Sequence, residues 1–181
     1  FFSDGNKENL SFIFKIALKL KLNKKKLIKT INNFKGLDYR QQIIFDKKNL
    51  TIINDSKSTS FSSTVGLLSS YKNIYWIVGG MHKKGDKFIL NKKYYKNIFA
   101  YIIGLNKNYF QNQFKNKIKF KYLKSLKNAI LKIKKDIKND EKPKTILFSP
   151  SAASFDQFKN FEVRGKYFNK LVKKIILKNK R

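Results

Sequence analysis

Three short, continuously apolar runs constrain the fold of this chain most strongly: residues 74–78, 99–103 and 145–148. Each is as long as one strand, and unbroken apolarity is typical of strands that are buried on both faces of a sheet. Stretches with helical spacing of apolar residues lie between and after them, including residues 122–137 and 163–177. This alternation predicts an α/β fold, with a Rossmann-like, mostly parallel sheet that is doubly wound by helices on both faces.

Two helices are predicted ahead of this sheet. Residues 7–22 carry apolar side chains at helical spacing, with Asn6 as the capping residue. Residues 24–34 form a second, shorter helix that stops before Gly36. Because no strand precedes these helices, we interpret them as the incomplete tail of a neighbouring domain.

A hairpin is predicted to open the α/β body. Residues 41–45 and 50–53 pair across a polar turn in this interpretation. The predicted division of the chain is therefore an incomplete domain at residues 1–36 and an α/β domain at residues 37–181, with residues 34–40 as the linker.

The formal net charge of +31 raises the question of a polyanionic partner. A basic face gains affinity for nucleic acid or an anionic membrane by releasing counterions. Here lysine greatly outnumbers arginine, and the lysines occur in every segment instead of clustering with aromatic residues into a binding stripe. We interpret most of the charge as solvated surface, and a lysine-rich nucleic-acid-binding module remains the alternative function.

The residue types exclude several kinds of chemistry. The chain has no cysteine and a single histidine, His82, so disulfides, thiolate sites, thiol nucleophiles and imidazole clusters are excluded. No apolar run approaches the roughly 20 residues of a membrane-spanning helix, and the first residues lack the order of a signal peptide. We expect a cytoplasmic monomer that neither inserts into a membrane nor binds a specific nucleic acid.

Ligands of open α/β sheets bind beyond the carboxyl ends of the strands, and three of the predicted strands end in unusual loops. The first loop, residues 54–60, combines hydroxyl groups with Asp55 and Lys57 ahead of a helix predicted to start near Thr59. Free N–H groups, hydroxyl donors and a cation suit an anionic ligand. The same composition also fits an ordinary capped helix start.

The second loop, residues 79–88, begins with two glycines that permit a sharp turn, and Lys83 and Lys84 follow within reach of a carboxylate or phosphate. Its glycine pair matches neither the dinucleotide fingerprint nor the phosphate-binding loop.

The third loop, residues 149–165, is built from small residues and places Ser154 near a helix start, where hydroxyl and N–H groups can hold a carboxylate. Its phenylalanines are spaced for packing on one helix face. Arg164 could belong to this site or equally form a salt bridge at the surface.

Together these loops resemble the Mur ligase family, and specifically its D-glutamate-adding member. The third loop is the most specific part of the resemblance, which covers nearly the whole chain. Residues 1 to about 36 resemble the end of the central ATP-binding domain, and the remainder resembles the C-terminal domain. The matching segments are Gly36-Leu37-Asp38-Tyr39-Arg40, Asn54-Asp55-Ser56-Lys57-Ser58-Thr59, Gly79-Gly80 with Lys84-Gly85 and Phe88, and Ser149-Pro150 through Phe168.

The resemblance implies part of an ATP-dependent ligase that adds D-glutamate to UDP-N-acetylmuramoyl-L-alanine in peptidoglycan precursor synthesis. In that family ATP phosphorylates the substrate carboxylate, and the amine of D-glutamate attacks the acyl phosphate. The phosphate-binding loop and the main Mg²⁺ ligands belong to segments that this chain lacks, so we expect no catalytic residue, no metal ligand and no ATP turnover here. A related Mur or folylpolyglutamate-type ligase with another amino acid is the second alternative.

Individual residues inherit roles from the resemblance. Asn6 and Asn9 match residues that approach the adenine of ATP, Arg40 matches one that reaches the phosphates, and Asp55 and Lys57 match further nucleotide contacts.

The positions that match D-glutamate contacts are Thr59, Lys84, Ser154, Phe155 and Phe161. The second loop is one residue longer than usual, so Lys83 is an alternative to Lys84.

Three residues of the chain also differ from those usual in the family. Gly5 and Tyr39 each stand where a histidine is usual, and Ala152 replaces a cysteine that is not a nucleophile in this chemistry.

Overall fold

The structure, a computed structural model, describes residues 4–34, 36–138 and 140–178, with the backbone alone described for residues 4–7. The chain divides into two compact units, Phe1–Leu37 and Asp38–Arg181. In the described part, no helix is both long and apolar enough to cross a bilayer.

The first unit contains helices α1 (Asp4–Lys19) and α2 (Lys24–Asn33). The predicted capping role of Asn6 is wrong, because α1 begins two residues before it. The side chain of Asn6 lies outside the described residues. Helix α2 begins after Asn23, whose side-chain oxygen accepts a hydrogen bond from the Lys26 N–H at 3.0 Å.

The second unit alternates strands and helices. Its strands are β1 (Gln42–Lys47), β2 (Leu50–Asn54), β3 (Ile74–Gly79), β4 (Ile98–Ile103), β5 (Lys119–Lys124) and β6 (Lys144–Phe148). Its helices are α3 (Phe61–Ser70), α4 (Lys107–Phe114), α5 (Leu126–Asp136) and α6 (Phe161–Ile175), with a 3₁₀ helix at Lys92–Asn97.

The six strands form one sheet in the order β1-β2-β6-β3-β4-β5. Strand β1 pairs antiparallel with β2, and every other neighbouring pair is parallel, which confirms the predicted mostly parallel α/β fold. Strands β2 and β3 follow one another in sequence but lie on either side of β6. The chain therefore reverses its direction across the sheet at β6, which is where ligands of open α/β sheets bind.

Two apolar cores cover the two faces of the sheet. Neighbouring residues of a strand enter different cores, as Ile53 and Ile52 do, since side chains alternate across a strand. One core contains Phe61 of α3 and Phe110 of α4, and the other contains residues of α5 and α6. Burial on both faces explains the continuously apolar strands in the sequence.

The helix predicted for residues 122–137 is wrong at its start. Residues up to Lys124 belong to β5, an edge strand in which half-buried Phe120 and Tyr122 alternate with exposed lysines. Helix α5 starts only after Ser125, whose hydroxyl accepts the Asn128 N–H. Leu123 happens to lie three residues before Leu126, so it extends the helical pattern back into the strand.

Gly79 and Gly66 provide a matched test of this packing. A β-carbon at Gly79, where φ is +132°, would overlap the backbone carbonyl of Ile103 on β4, whereas one at Gly66 within α3 has no neighbour within 4 Å. We expect Gly79→Ala to lower the free energy of unfolding by about 3 kcal/mol and Gly66→Ala to raise it by about 0.5–1 kcal/mol. Urea denaturation of both variants checks this, and equal effects would contradict it.

Candidate functional site

The topology brings the three predicted loops to one edge of the sheet, because they follow the adjacent strands β2, β6 and β3. Backbone hydrogen bonds connect them directly. The Asp55 N–H donates to the Phe148 carbonyl at 2.7 Å, and the Gly79 N–H donates to the Pro150 carbonyl at 2.9 Å. Met81 and Ala153 form an isolated antiparallel bridge. The second and third loops are thus joined by paired backbone groups.

Asn54 fastens the first loop to helix α6. Its side-chain amide donates to the Gly165 carbonyl at 3.0 Å and to Asn169 Oδ1 at 2.7 Å. Its side-chain oxygen accepts the Ser56 N–H at 3.1 Å. Because Asn54 is fully buried, these bonds fix the direction in which the loop leaves the sheet.

Asp55 is a buried carboxylate with two protein donors. Its Oδ1 accepts the Gln41 N–H at 3.0 Å, and its Oδ2 accepts the Ser149 hydroxyl at 2.7 Å. Burial raises the pKa of Asp55 to about 6, although both hydrogen bonds and the charges of Arg40 and Arg164 lower it. A ligand hydroxyl would therefore meet a carboxylate whose two oxygens are already engaged.

A connected group of hydroxyls extends from Asp55 below the first loop. Ser149 Oγ lies 2.7 Å from Thr64 Oγ1, which lies 2.8 Å from the hydroxyls of both Ser58 and Ser151. All four of these hydroxyl residues are buried. Through these hydroxyl contacts, helix α3 is joined to both the first loop and the third loop.

Arg164 holds the first and third loops together, and its suggested role in a surface salt bridge is wrong because only 2% of it is exposed. Its Nε donates to Ser56 Oγ at 3.1 Å, and its Nη2 donates to the carbonyls of Ser56 at 2.7 Å and Ala152 at 3.0 Å. Among the described residues, its Nη1 has no hydrogen-bond partner. Burial lowers the pKa of Arg164 to about 10, which still leaves the guanidinium charged at neutral pH.

The second loop is attached to helices α3 and α4. The Asp86 carboxylate accepts the Phe61 N–H at 2.8 Å, at the first residue of α3. Tyr109 of α4 donates its hydroxyl to the Asp86 carbonyl, and its ring stacks on His82 with 3.8 Å between the ring centres. Lys83 and Lys84 are both exposed on this tethered loop.

The residues that match D-glutamate contacts lie on the three loops, in different environments. Ser154 is 3% exposed, and no hydrogen bond of its hydroxyl is found in the described part of the chain. Thr59 is exposed, one residue before Ser60, which caps α3; this helix begins at Phe61, two residues after the predicted start. Phe155 is 70% exposed, whereas Phe161 is half-buried as the first residue of α6.

The residues that match nucleotide contacts are divided between the two units. Lys57 and Asp55 share the first loop, and the Lys57 ammonium lies 3.9 Å from the centre of the Phe161 ring. Arg40 is exposed in the second unit. Asn9 is exposed on α1 in the first unit.

Sequence reasoning missed several residues that shape this edge. Asp86 lies in the second loop, Ser149 opens the third loop and Thr64 lies on α3, but nothing in the sequence indicates the contacts that these residues make across the edge. Two surface grooves, of about 920 and 780 Å³, are lined by none of the predicted site residues. Across the residues that the structure describes, no three His, Cys, Asp or Glu side chains form a group able to hold a metal ion.

Comparison with known proteins identifies relatives of this chain. It is 37% identical over 172 residues to a UDP-N-acetylmuramoylalanine–D-glutamate ligase from Wolbachia sp. subsp. Brugia malayi, covering 94% of this chain and 34% of the relative. It is 37% identical over 170 residues to the ligase of the same name from Rickettsia prowazekii, covering 93% of this chain and 38% of the relative. The chain belongs to the Mur ligase family.

The match to these relatives is to their C-terminal portion, and the chain spans about a third of their length. No protein-family model matches the chain. The crystal structure of the UDP-N-acetylmuramate–alanine ligase from Thermotoga maritima has the same fold over 95% of this chain and 38% of its own, with a TM-score of 0.64 and 12% identity. The resemblance noted in the sequence is thereby confirmed at the level of the Mur ligase family.

The buried Asp55 carboxylate predicts a pH-dependent stability. Its pKa is raised from 3.8 to about 6 in the folded chain, so the folded state retains a proton that the unfolded state has lost between these values. Stability should therefore rise as the pH falls from about 6 towards 3.8, by about 3 kcal/mol for this one group. Asp55→Asn should remove that contribution.

Urea denaturation of the unmodified chain and of Asp55→Asn across this pH range measures the difference. The matched control is Asp46→Asn, because Asp46 is an exposed aspartate on β1 that accepts a hydrogen bond from Thr51 at 2.8 Å. A difference between the unmodified chain and Asp55→Asn that stays constant with pH would contradict the prediction.

Proposed function

We propose that this chain is the D-glutamate-binding part of an ATP-dependent ligase that adds D-glutamate to UDP-N-acetylmuramoyl-L-alanine in peptidoglycan precursor synthesis. The observation that carries the proposal is the contiguity of the loops after β2, β6 and β3, which bear all five residues matching D-glutamate contacts. The D-glutamate ligases from Wolbachia and Rickettsia support it, since each is 37% identical to this chain.

In this proposal the two units belong to two different domains of the ligase. Residues 1–36 are the end of a central ATP-binding domain in this proposal, and residues 37–181 are the C-terminal domain. Helix α1 is apolar around most of its circumference, and such a surface needs a further protein surface to cover it. The exposed apolar residues of α1 are Phe12, Ile13, Phe14, Ile16 and Leu18.

The proposed reaction requires the amino acid to be held and aimed. The amine of D-glutamate attacks the carbonyl carbon of the acyl phosphate, the new C–N bond forms, and the C–O bond to phosphate breaks as inorganic phosphate leaves. The amine also gives up a proton. The role of this chain is to hold the two carboxylates of D-glutamate so that the amine points at that carbon, and positioning of this kind supplies much of the rate acceleration.

The side chains on the three loops are chemically suited to this task. A dicarboxylate requires a cation and oriented donors, which Lys84 and the hydroxyls of Thr59 and Ser154 provide. Phe155 and Phe161 lie on either side of the turn that leads into α6 and would border the same ligand. ATP approaches Arg40, Lys57 and Asp55 in this proposal. Mg²⁺ would be bound mainly by other parts of the ligase in this proposal.

We expect D-glutamate, but not L-glutamate, to bind at this edge. Titration of the isotopically labelled chain with each enantiomer, followed by NMR, should shift the amide signals of all three loops only for D-glutamate. A site that fixes the amine and both carboxylates of D-glutamate cannot bind all three groups of L-glutamate in the same positions, because the two molecules are mirror images at Cα. Identical shifts from the two enantiomers would contradict the proposal.

Single substitutions then separate the roles. Ser154→Ala and Lys84→Ala should each weaken D-glutamate binding by about tenfold or more, because each removes a partner of a charged group. Lys83→Ala is the matched control, with the same change of charge at the neighbouring position of the same loop. A larger effect of Lys83→Ala than of Lys84→Ala would transfer the lysine role to Lys83.

A further inference from the structure

The linker turn at Tyr39-Arg40-Gln41 has an unusual backbone. Tyr39 has a φ of +61° and Gln41 a φ of +47°, although neither is glycine. Positive φ values are unfavourable for residues with a side chain, and they persist only where the surroundings hold them in place. Arg40 lies between these two residues and is exposed.

The first loop holds the turn on both sides of Arg40. The Lys57 N–H donates to the Tyr39 carbonyl at 3.0 Å, and the Gln41 N–H donates to Asp55 Oδ1 at 3.0 Å. The second of these bonds runs to a carboxylate, and hydrogen bonds to charged groups are stronger than those between neutral groups. The backbone before and after Arg40 is therefore fixed to one loop.

Helix α6 supports the turn from another direction. The Tyr39 ring lies against Gly165 so closely that a β-carbon at Gly165 would overlap it. Gln42 completes the turn, since its side-chain oxygen accepts the Tyr39 N–H at 3.2 Å and its amide donates to Asp38 at 2.7 Å. The backbone on both sides of Arg40 is held, and Arg40 itself is exposed.

We propose that Asp55 is a positioning residue for Arg40: through the Gln41 amide it fixes the strained turn that presents the Arg40 guanidinium to an anionic ligand at the carboxyl edge of the sheet. This role differs from direct contact between Asp55 and a nucleotide. It rests on the proposed function only for the identity of the ligand, a phosphate group of ATP.

The surroundings of Asp55 agree with this role. The Ser149 hydroxyl, from the loop after β6, occupies the other carboxylate oxygen, so Oδ1 is left for the Gln41 amide. The charged groups that act on Asp55 are Arg40 of the linker and Arg164 of α6, and both favour its ionised form. The ionised carboxylate is the stronger acceptor for Gln41.

Cleavage by an arginine-specific protease at neutral pH tests the proposal. The sequence contains three arginines, Arg40, Arg164 and Arg181, so cleavage after Arg40 gives a distinctive pair of fragments. Asp55→Ala should raise the rate of this cleavage by about tenfold or more, because it removes a hydrogen bond to a charged acceptor that holds the turn. Asp55→Asn retains an acceptor oxygen and should restore most of the protection.

Two further variants complete the design. Gly165→Ala should also accelerate cleavage after Arg40, because it displaces the Tyr39 ring without altering Asp55. Asp46→Ala is the control carboxylate and should leave the rate unchanged. The proposal is overturned if Asp55→Ala is cut at the rate of the unmodified chain or at the rate of Asp46→Ala. It is also overturned if cleavage after the buried Arg164 rises in parallel, since Asp55 would then support the whole fold and not this turn.

A second measurement uses the Gln41 amide as the reporter. Its NMR signal should shift with pH, with a midpoint near the pKa of about 6 of the carboxyl that it contacts, and Asp55→Asn should abolish the shift. A Gln41 signal that does not change in this range would overturn the proposal. Neither experiment contains D-glutamate or ATP, so failure here leaves the proposed function to its own test.

Discussion

The hydrogen bonds between the buried loops after β2 and β6 are the interactions on which the rest of this site depends. Asp55 and Arg164 both bring charge into the interior, where an ion without partners is strongly unfavourable. Neither residue relies on the other as a direct partner. Asp55 accepts hydrogen bonds from Gln41 and Ser149, and Arg164 donates from Nε and Nη2 to Ser56 and to backbone carbonyls, so each charge ties two chain segments together. These hydrogen bonds hold together the loops that carry most of the residues proposed to contact ligands.

The sequence was sufficient to predict the sheet because its central strands are buried on both faces. The runs around Trp76, Tyr101 and Leu147 are continuously apolar, and they have the length of single strands, which together favour strands covered on both faces. Strand β5 lacks this signal, since it lies at the edge of the sheet with one covered face, and its lysines resemble those of a surface helix. Because its residue Leu123 lies three positions before Leu126, the helix predicted for α5 was extended back into this strand. The exact helix starts were also hard to predict. Ser60 and Ser125 cap α3 and α5, but serine and threonine are both good capping residues and several stand near the start of α3.

The site was predictable as a set of loops, but its internal contacts were not. Topology requires that the ends of β2, β6 and β3 meet, and the resemblance named the residues on them. Nothing local indicates that Asp86 contacts the start of α3, that Thr64 joins hydroxyls from two loops, or that Arg164 points inward. These contacts connect residues that are 25 to 108 positions apart in the sequence, and tertiary packing alone decides them.

The scarcity of arginine adds a physical argument for the same edge. Lysine carries nearly all of the positive charge of this chain, yet one of its three arginines, Arg164, lies where the geometry suits a guanidinium, and another, Arg40, lies in a turn with an unusual backbone. Arg164 uses Nε and Nη2 to reach three oxygen atoms in a fixed plane, which the single ammonium of lysine cannot reproduce. Arg40 lies in the strained turn that the first loop holds at Tyr39 and Gln41, and in the proposed function its planar, permanently charged group binds a phosphate. The dispersed lysines thus provide the background charge, whereas the fold fixes the direction of the Arg164 guanidinium and of the backbone around Arg40.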